Sequence, residues 1–217
     1  MITLPIKNVR GRRITAPDGG NWPPTSENVQ RFAAQLHSAK SSPHVVMITP
    51  ASRAHSSLRL AYDTALALVQ MNEAPILVMD LESSESCLDQ VKTTAAADTL
   101  FEAYDPDERL REQPTRTPRW PALSVLRPVR EGQDAAEFLS SSKFALVLAG
   151  AKRTFSRVLV AADCVLESVG AVVAANLCDA VVLLVKGDAT TTTMLKDIKQ
   201  ILQRNDVKLL GFIYEKS

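Results

Sequence analysis

The sequence is poor in glycine, in aromatic side chains and in net charge. Its 217 residues include 8 glycines, aromatic residues make up 5% of the chain, and the formal net charge is +1. A charge so close to neutral creates no bulk field that would attract nucleic acid or an anionic membrane surface. The composition therefore predicts no nucleic-acid partner.

Cysteine is also scarce. The three cysteines, Cys87, Cys164 and Cys178, are odd in number and widely spaced, and no C-x-x-C pair occurs. This usage suits a reducing cytosol and argues against a disulfide framework or a zinc site. His37 and His44 have no companions at ligand-like spacing, so we predict no metal site.

No stretch of the chain is apolar enough to cross a bilayer. The longest apolar region, Val169–Val185, is interrupted by Asn176 and Asp179 and is too short for a span. The basic N-terminus is not followed by the apolar core of a signal peptide. We therefore expect a cytoplasmic protein without direct membrane insertion.

The remaining composition is that of an ordinary globular protein, with 46% hydrophobic and 23% charged residues. Residues 1–24 contain four prolines and a Gly-Gly pair with little periodicity, which predicts a flexible basic arm. Residues 25–217 are long enough to form one α/β domain around a single core. Two domains are not required.

Short apolar runs alternate with helical periodicity along residues 25–217. This alternation predicts a mostly parallel sheet with helices on both faces, a three-layer α/β/α fold. The predicted strands are Val45–Thr49, Ile76–Met79, Leu123–Leu126, Arg157–Ala161, Ala180–Lys186 and Lys208–Tyr214. The predicted helices are Glu27–Lys40, one that ends near Met71, Ala95–Tyr104, Asp134–Arg153, Ser168–Leu177 and Thr191–Arg204.

The loop after the first strand is where a ligand is expected, because the crevice of a parallel sheet lies at the carboxyl ends of its strands. A phosphate cradle there needs glycines for converging backbone N–H groups, a lysine and a Ser/Thr. The loop, Pro50–Arg59, has no glycine and no lysine. Its basic side chains could bind an anion instead, or could simply be solvated: Arg53, His55 and Arg59.

The segment Val45–Leu68 resembles the Walker A region of bacterial tyrosine kinases (BY-kinases), which belong to the MinD/ParA-like branch of P-loop ATPases. An overlay without gaps puts Ala54 and Ser56 at the two glycines and Ser57 at the lysine. The two hydroxyl positions are occupied by Leu58 and Arg59. The resemblance implies a P-loop fold whose phosphate-binding residues have been replaced.

Further segments extend the resemblance over residues 27–217. Ile76–Asp80 is similar to the Walker A′ strand of the family and places Asp80 at its metal-site aspartate. Phe155–Ser168 is similar to the Walker B segment, with Ala161 in place of the aspartate. Leu209–Glu215 is similar to the last strand. The resemblance therefore implies that neither ATP nor Mg²⁺ is bound.

Two family features that concern assembly and phosphorylation are changed. The family's oligomerisation helix reads E-x-x-R-x-x-R; here Glu27 is kept, whereas Gln30 and Ala33 take the arginine positions. The family's tyrosine-rich tail has no counterpart, since the sequence stops three residues after Tyr214. The sequence leaves open whether the protein forms a homo-oligomer of another kind.

The resemblance implies a role in capsule or exopolysaccharide export, beside a membrane polysaccharide co-polymerase that regulates chain length. Our first hypothesis is a non-catalytic, pseudokinase-like adaptor, cytoplasmic and held at the inner membrane only through that partner. The second is a divergent ATPase or tyrosine autokinase with a rebuilt site, which alone would use ATP and Mg²⁺. The third is a MinD/ParA-like positioning protein.

Overall fold

The computed structural model describes residues 26–39, 43–82, 115–117, 120–126, 138–139, 142–187 and 189–215. The predicted arm 1–24 and the predicted helix Ala95–Tyr104 lie outside the described residues. The helices are α1 (Glu27–Ser38), α2 (Leu58–Gln70), α3 (Ser142–Thr154), α4 (Val169–Leu177) and α5 (Thr192–Arg204). The strands are β1 (Val45–Pro50), β2 (Ile76–Leu81), β3 (Thr115–Thr117), β4 (Trp120–Leu126), β5 (Arg157–Ala162), β6 (Ala180–Lys186) and β7 (Leu209–Glu215).

The described strands form one seven-stranded sheet in the order β3-β4-β2-β5-β1-β6-β7. Every neighbouring pair from β4 to β7 is parallel, and only β3 pairs antiparallel with β4. The predicted α/β class with a mostly parallel sheet is confirmed. The short edge strand β3 was not predicted.

Helices cover both faces of this sheet, which is why the central strands are apolar at most positions. Alternate residues of β1 belong to two different cores: Val45 and Met47 to one, Val46 and Ile48 to the other. The first core is completed by α3, α4 and α5, and the second by α1 and α2. Strands buried on both faces read as continuous apolar runs, the signal from which they were predicted.

Three helices begin within one residue of their predicted start, each after a hydroxyl side chain that accepts from a backbone N–H of the first turn. The pairs are Ser26 with Val29, Ser168 with Ala171, and Thr191 with Met194. The apolar face of α1 is buried. It consists of Val29, Phe32, Ala33 and Leu36. Among the helices that the structure describes, none is long and apolar enough to cross a membrane.

Candidate functional site

The candidate site lies where β2, β5 and β1 end side by side. These strands are parallel neighbours in the sheet, so their carboxyl ends meet at one edge. The loop 51–57 connects β1 to the start of α2 at this edge, and Glu82 follows β2 there. By the general rule for parallel sheets, this edge is where a ligand would bind.

The first turn of α2 has its N–H groups satisfied from two directions. Ser57 is the N-cap residue, but its side chain makes no cap hydrogen bond. The Oγ of Ser56 accepts from the backbone N–H of Leu58 at 3.2 Å. The N–H of Ser57 is directed to a different residue, which lies at the end of β2.

That residue is Glu82, whose carboxylate is bonded to the two serines of the loop. Its Oε1 accepts from the backbone N–H of Ser57 at 2.5 Å and from the Oγ of Ser57 at 2.8 Å. Its Oε2 accepts from the Oγ of Ser56 at 2.5 Å. Glu82 is only 7% exposed. A buried carboxylate thus lies at the N-terminus of α2.

Burial dominates the electrostatics of this carboxylate. Desolvation raises the pKa of Glu82 above its ordinary value, although the hydrogen bonds from Ser56 and Ser57 act to lower it. The nearby charge of Asp80 adds to the increase. Removing a carboxylate from water is costly unless donors surround it, and here the loop supplies those donors.

Asp80 is the penultimate residue of β2, whereas the predicted strand ended one residue before it. Its side chain is buried, with 1% of the residue exposed, and its Oδ1 accepts from the backbone N–H of Glu82 at 3.1 Å. Asp80 pairs in register with Ala161 of β5. The two positions that the resemblance relates to the metal site are therefore adjacent, but only Asp80 has a carboxylate.

The arginine side chains Arg53 and Arg59 do not converge on the start of α2. Arg53, whose side chain is 85% exposed, lies 3.7 Å from the carboxylate of Glu167. The Nε of Arg59 donates to Asp63 at 3.0 Å, one turn further along α2. For Arg53 and Arg59, the geometry favours ordinary surface ion pairs over an anion site.

The end of β1 and the loop after it are also hydrogen-bonded to the end of the neighbouring strand β5. The Oγ1 of Thr49 donates to the backbone carbonyl of Asp163 at 2.7 Å, and Thr49 is fully buried. The carbonyl of Ala162 lies 3.3 Å from the Oγ of Ser57.

In the described part of the chain, no group of three or more His, Cys, Asp or Glu side chains could hold a metal ion.

The structure thus brings together Ser56, Ser57 and Asp80 among the predicted positions, and it adds Glu82. Ala54 is exposed, whereas Leu58 is buried in the core under α2. Glu82 was missed because its contact joins residues that are 25 positions apart. The available signal was an acidic residue immediately after the buried strand β2, because the carboxyl ends of the parallel strands β2, β5 and β1 meet at one edge of the sheet.

Comparison with known proteins gives matches at the level of structure only. No protein-family model matches the chain, and no curated protein matches its sequence. The kinase domain of VpsO has a similar structure, with a TM-score of 0.70 and 19% identity over 88% of this chain and 94% of that domain. The kinase domain of the Escherichia coli tyrosine kinase Etk has a TM-score of 0.70 and 16% identity over 86% of this chain and 72% of its own.

A more distant match is MinD from Aquifex aeolicus, solved in a complex with MinC. It has a TM-score of 0.53 and 14% identity over 77% of this chain and 67% of its own. These identities establish the fold alone. The chain has the P-loop α/β/α fold of bacterial tyrosine kinase domains and MinD-type ATPases, so the predicted resemblance is confirmed at that level.

Proposed function

We propose that this protein is a non-catalytic, pseudokinase-like adaptor or regulator in bacterial exopolysaccharide or capsule biosynthesis and export. It acts through contacts with a membrane polysaccharide co-polymerase, the chain-length regulator of such systems. The observation that carries the proposal is at the start of α2. Ser57 takes the place of the lysine in the resembled motif, and it is fully buried and bonded to Glu82.

The chemistry of this edge is unfavourable for a nucleotide. A triphosphate carries several negative charges, and their desolvation must be compensated by backbone N–H groups and a lysine. The loop 51–57 has neither glycine nor lysine, and Glu82 would add a like charge at the same place. Ala161 offers no carboxylate for Mg²⁺ or its water. We therefore propose that the protein uses neither ATP nor Mg²⁺.

The proposed contact with a partner protein is in keeping with how this fold is used elsewhere. MinD of Aquifex aeolicus, which has the same fold, forms a complex with MinC. The kinase domains of VpsO and Etk match more closely, which directs the proposal to the tyrosine kinase branch. In this proposal the protein is cytoplasmic and reaches the inner membrane through the co-polymerase.

One observation favours a second candidate, a divergent ATPase or tyrosine autokinase with a rebuilt site. Asp80 and Glu82 are two buried carboxylates at the end of β2, and carboxylate oxygens are ligands that Mg²⁺ prefers. This candidate predicts phosphotyrosine in the protein expressed in bacteria. The phosphotyrosine would be lost in Asp80→Ala.

A complementation experiment separates the two candidates. We expect deletion of the gene to change the amount or chain length of the surface polysaccharide. The wild-type gene and Asp80→Asn, which keeps an oxygen for the N–H of Glu82, should both restore it. If a folded Asp80→Asn protein failed to restore the polysaccharide, or if phosphotyrosine were found in the wild-type protein, the adaptor proposal would be wrong.

A further inference from the structure

The N-terminus of α2 differs from those of the other helices whose caps the structure describes. Those helices are capped by a hydroxyl of their own first residues: Ser26, Ser168 and Thr191. In α2 the N-cap side chain makes no such bond, and no acidic residue lies in the first turn. Instead, the Oγ of Ser56 accepts from the N–H of Leu58, and the carboxylate of Glu82, which follows β2, accepts from the N–H of Ser57.

The backbone N–H groups of a helix start carry a partial positive charge and favour an anion. Glu82 supplies that anion through both of its oxygens, which accept three hydrogen bonds from Ser56 and Ser57. We call this arrangement the Glu82 clasp. It joins the end of β2 to the start of α2; Glu82 and Ser57 are buried in it, whereas Ser56 is exposed.

We propose that Glu82 is an internal substitute for a phosphate group. Its carboxylate occupies the anion position of the P-loop fold, so this position at the ligand edge is filled without nucleotide. The donors in the clasp cannot serve a second anion while Glu82 is in place. An external phosphate would also meet the negative charge of the carboxylate, so it could enter only if Glu82 left.

The clasp stabilises the folded state at this edge, as a bound nucleotide would otherwise do. A ligand that binds only the folded state stabilises it, and an internal group in the same place does so without depending on a concentration. The inference rests on the proposed function, because a chain that bound ATP would have to displace Glu82. Its test uses variants without this carboxylate, whereas the proposed function is tested on proteins that keep Glu82.

The experiment is anion rescue of Glu82→Ala, measured as the melting temperature of the full chain by circular dichroism. Melting is compared in sodium chloride and in inorganic phosphate at equal ionic strength. Leu66→Ala is the matched control, because it removes buried apolar volume from the same helix but leaves the carboxylate of Glu82 in place. In chloride we expect Glu82→Ala to melt roughly 4–8 °C below the wild type.

In phosphate, Glu82→Ala should recover at least half of this loss in a saturable manner, because the empty anion position can now bind the probe. The wild type and Leu66→Ala should shift by the same small amount as each other. The proposal is overturned if Glu82→Ala melts like the wild type in chloride. It is also overturned if phosphate raises Glu82→Ala and Leu66→Ala equally.

Glu82→Gln keeps the test decisive if Glu82→Ala does not fold in chloride. The amide still fills the position but carries no charge, so Glu82→Gln should melt below the wild type and should not respond to phosphate. Refolding of Glu82→Ala by phosphate, and not by chloride, would then support the proposal. Failure to refold in phosphate, together with a wild-type melting temperature for Glu82→Gln, would overturn it.

Discussion

Asp80 and Ala161 are paired residues of adjacent strands, at the place where the resembled family has two aspartates. Ala161 also pairs with Ile48 of β1, and it is fully buried in the core formed with α1 and α2. The methyl group of Ala161 is thus part of the apolar packing, and the carboxylate of Asp80 is engaged with the backbone of Glu82. Ala161 is therefore a core residue, and the carboxylate of Asp80 lies beside it.

Restoring an aspartate at this position should therefore destabilise the protein. Ala161→Asp would bury a second carboxylate beside Asp80 without a cation, and we expect a loss of roughly 2–4 kcal/mol in urea denaturation. The control is Ala54→Asp at an exposed position, which should change the stability by less than about 0.5 kcal/mol. A fully stable Ala161→Asp would show that the site still accepts a metal-binding carboxylate.

A second prediction concerns the opposite edge of the sheet, where Arg157 begins β5. Its Nε donates to Glu73 at 2.6 Å, and its guanidinium also donates to the carbonyls of Pro43 and Leu36. The side chains of Arg157 and Glu73 are 6% and 10% exposed. Removing one partner of a buried ion pair leaves the other charge without compensation.

We therefore expect Arg157→Met to lower the free energy of unfolding by about 3–5 kcal/mol. The matched control is Arg53→Met, which removes an exposed arginine whose ion pair with Glu167 is 3.7 Å long. That change should cost less than about 1 kcal/mol. Urea denaturation of the two variants side by side measures the difference, and equal losses would contradict the structural role of Arg157.

A third prediction is a pH dependence that originates at Asp179. Its Oδ2 accepts from the backbone N–H groups of His44 and Val45, and its Oδ1 accepts from Lys152 at 2.8 Å. Burial by itself acts to raise the pKa of Asp179, but the bond from Lys152 and the backbone donors outweigh it. The pKa of Asp179 therefore lies below its ordinary value of 3.8.

A carboxyl whose pKa is lower in the folded state stabilises the protein at pH values above its unfolded pKa. That contribution is lost as the pH falls below about 4 and through the folded pKa. Asp179→Asn should consequently lose less stability than the wild type between about pH 5 and pH 2. Asp197→Asn, at an exposed position of α5, is the control and should follow the wild-type pH profile. Parallel profiles for Asp179→Asn and the wild type would show that the interaction is absent.

The central strands could be predicted because their burial leaves a direct mark on the sequence. Ala180–Lys186 was predicted with the bounds that the structure gives, and β1 and β5 each extend one residue further than predicted. Both faces of these strands are covered, so most positions are apolar. The edge strand Thr115–Thr117 has three residues and no apolar alternation, and for that reason it was not predicted.

The candidate site was predicted in its location but not in its contacts. The absence of glycine and lysine between β1 and α2 was visible in the sequence, whereas the role of Glu82 was not. That role depends on β2 and α2 meeting in space and on the orientation of Ser56 and Ser57. Tertiary contacts of this kind leave no local periodicity, so composition and spacing do not reveal them.

Calorimetric titration of the wild-type full chain with Mg-ATP tests the central claim most directly. With Ser57 bonded to Glu82 and no lysine in the loop, no saturable heat should be observed up to roughly millimolar nucleotide. Mg-ADP should give the same result. A saturable isotherm with a Kd in the micromolar range would contradict the account.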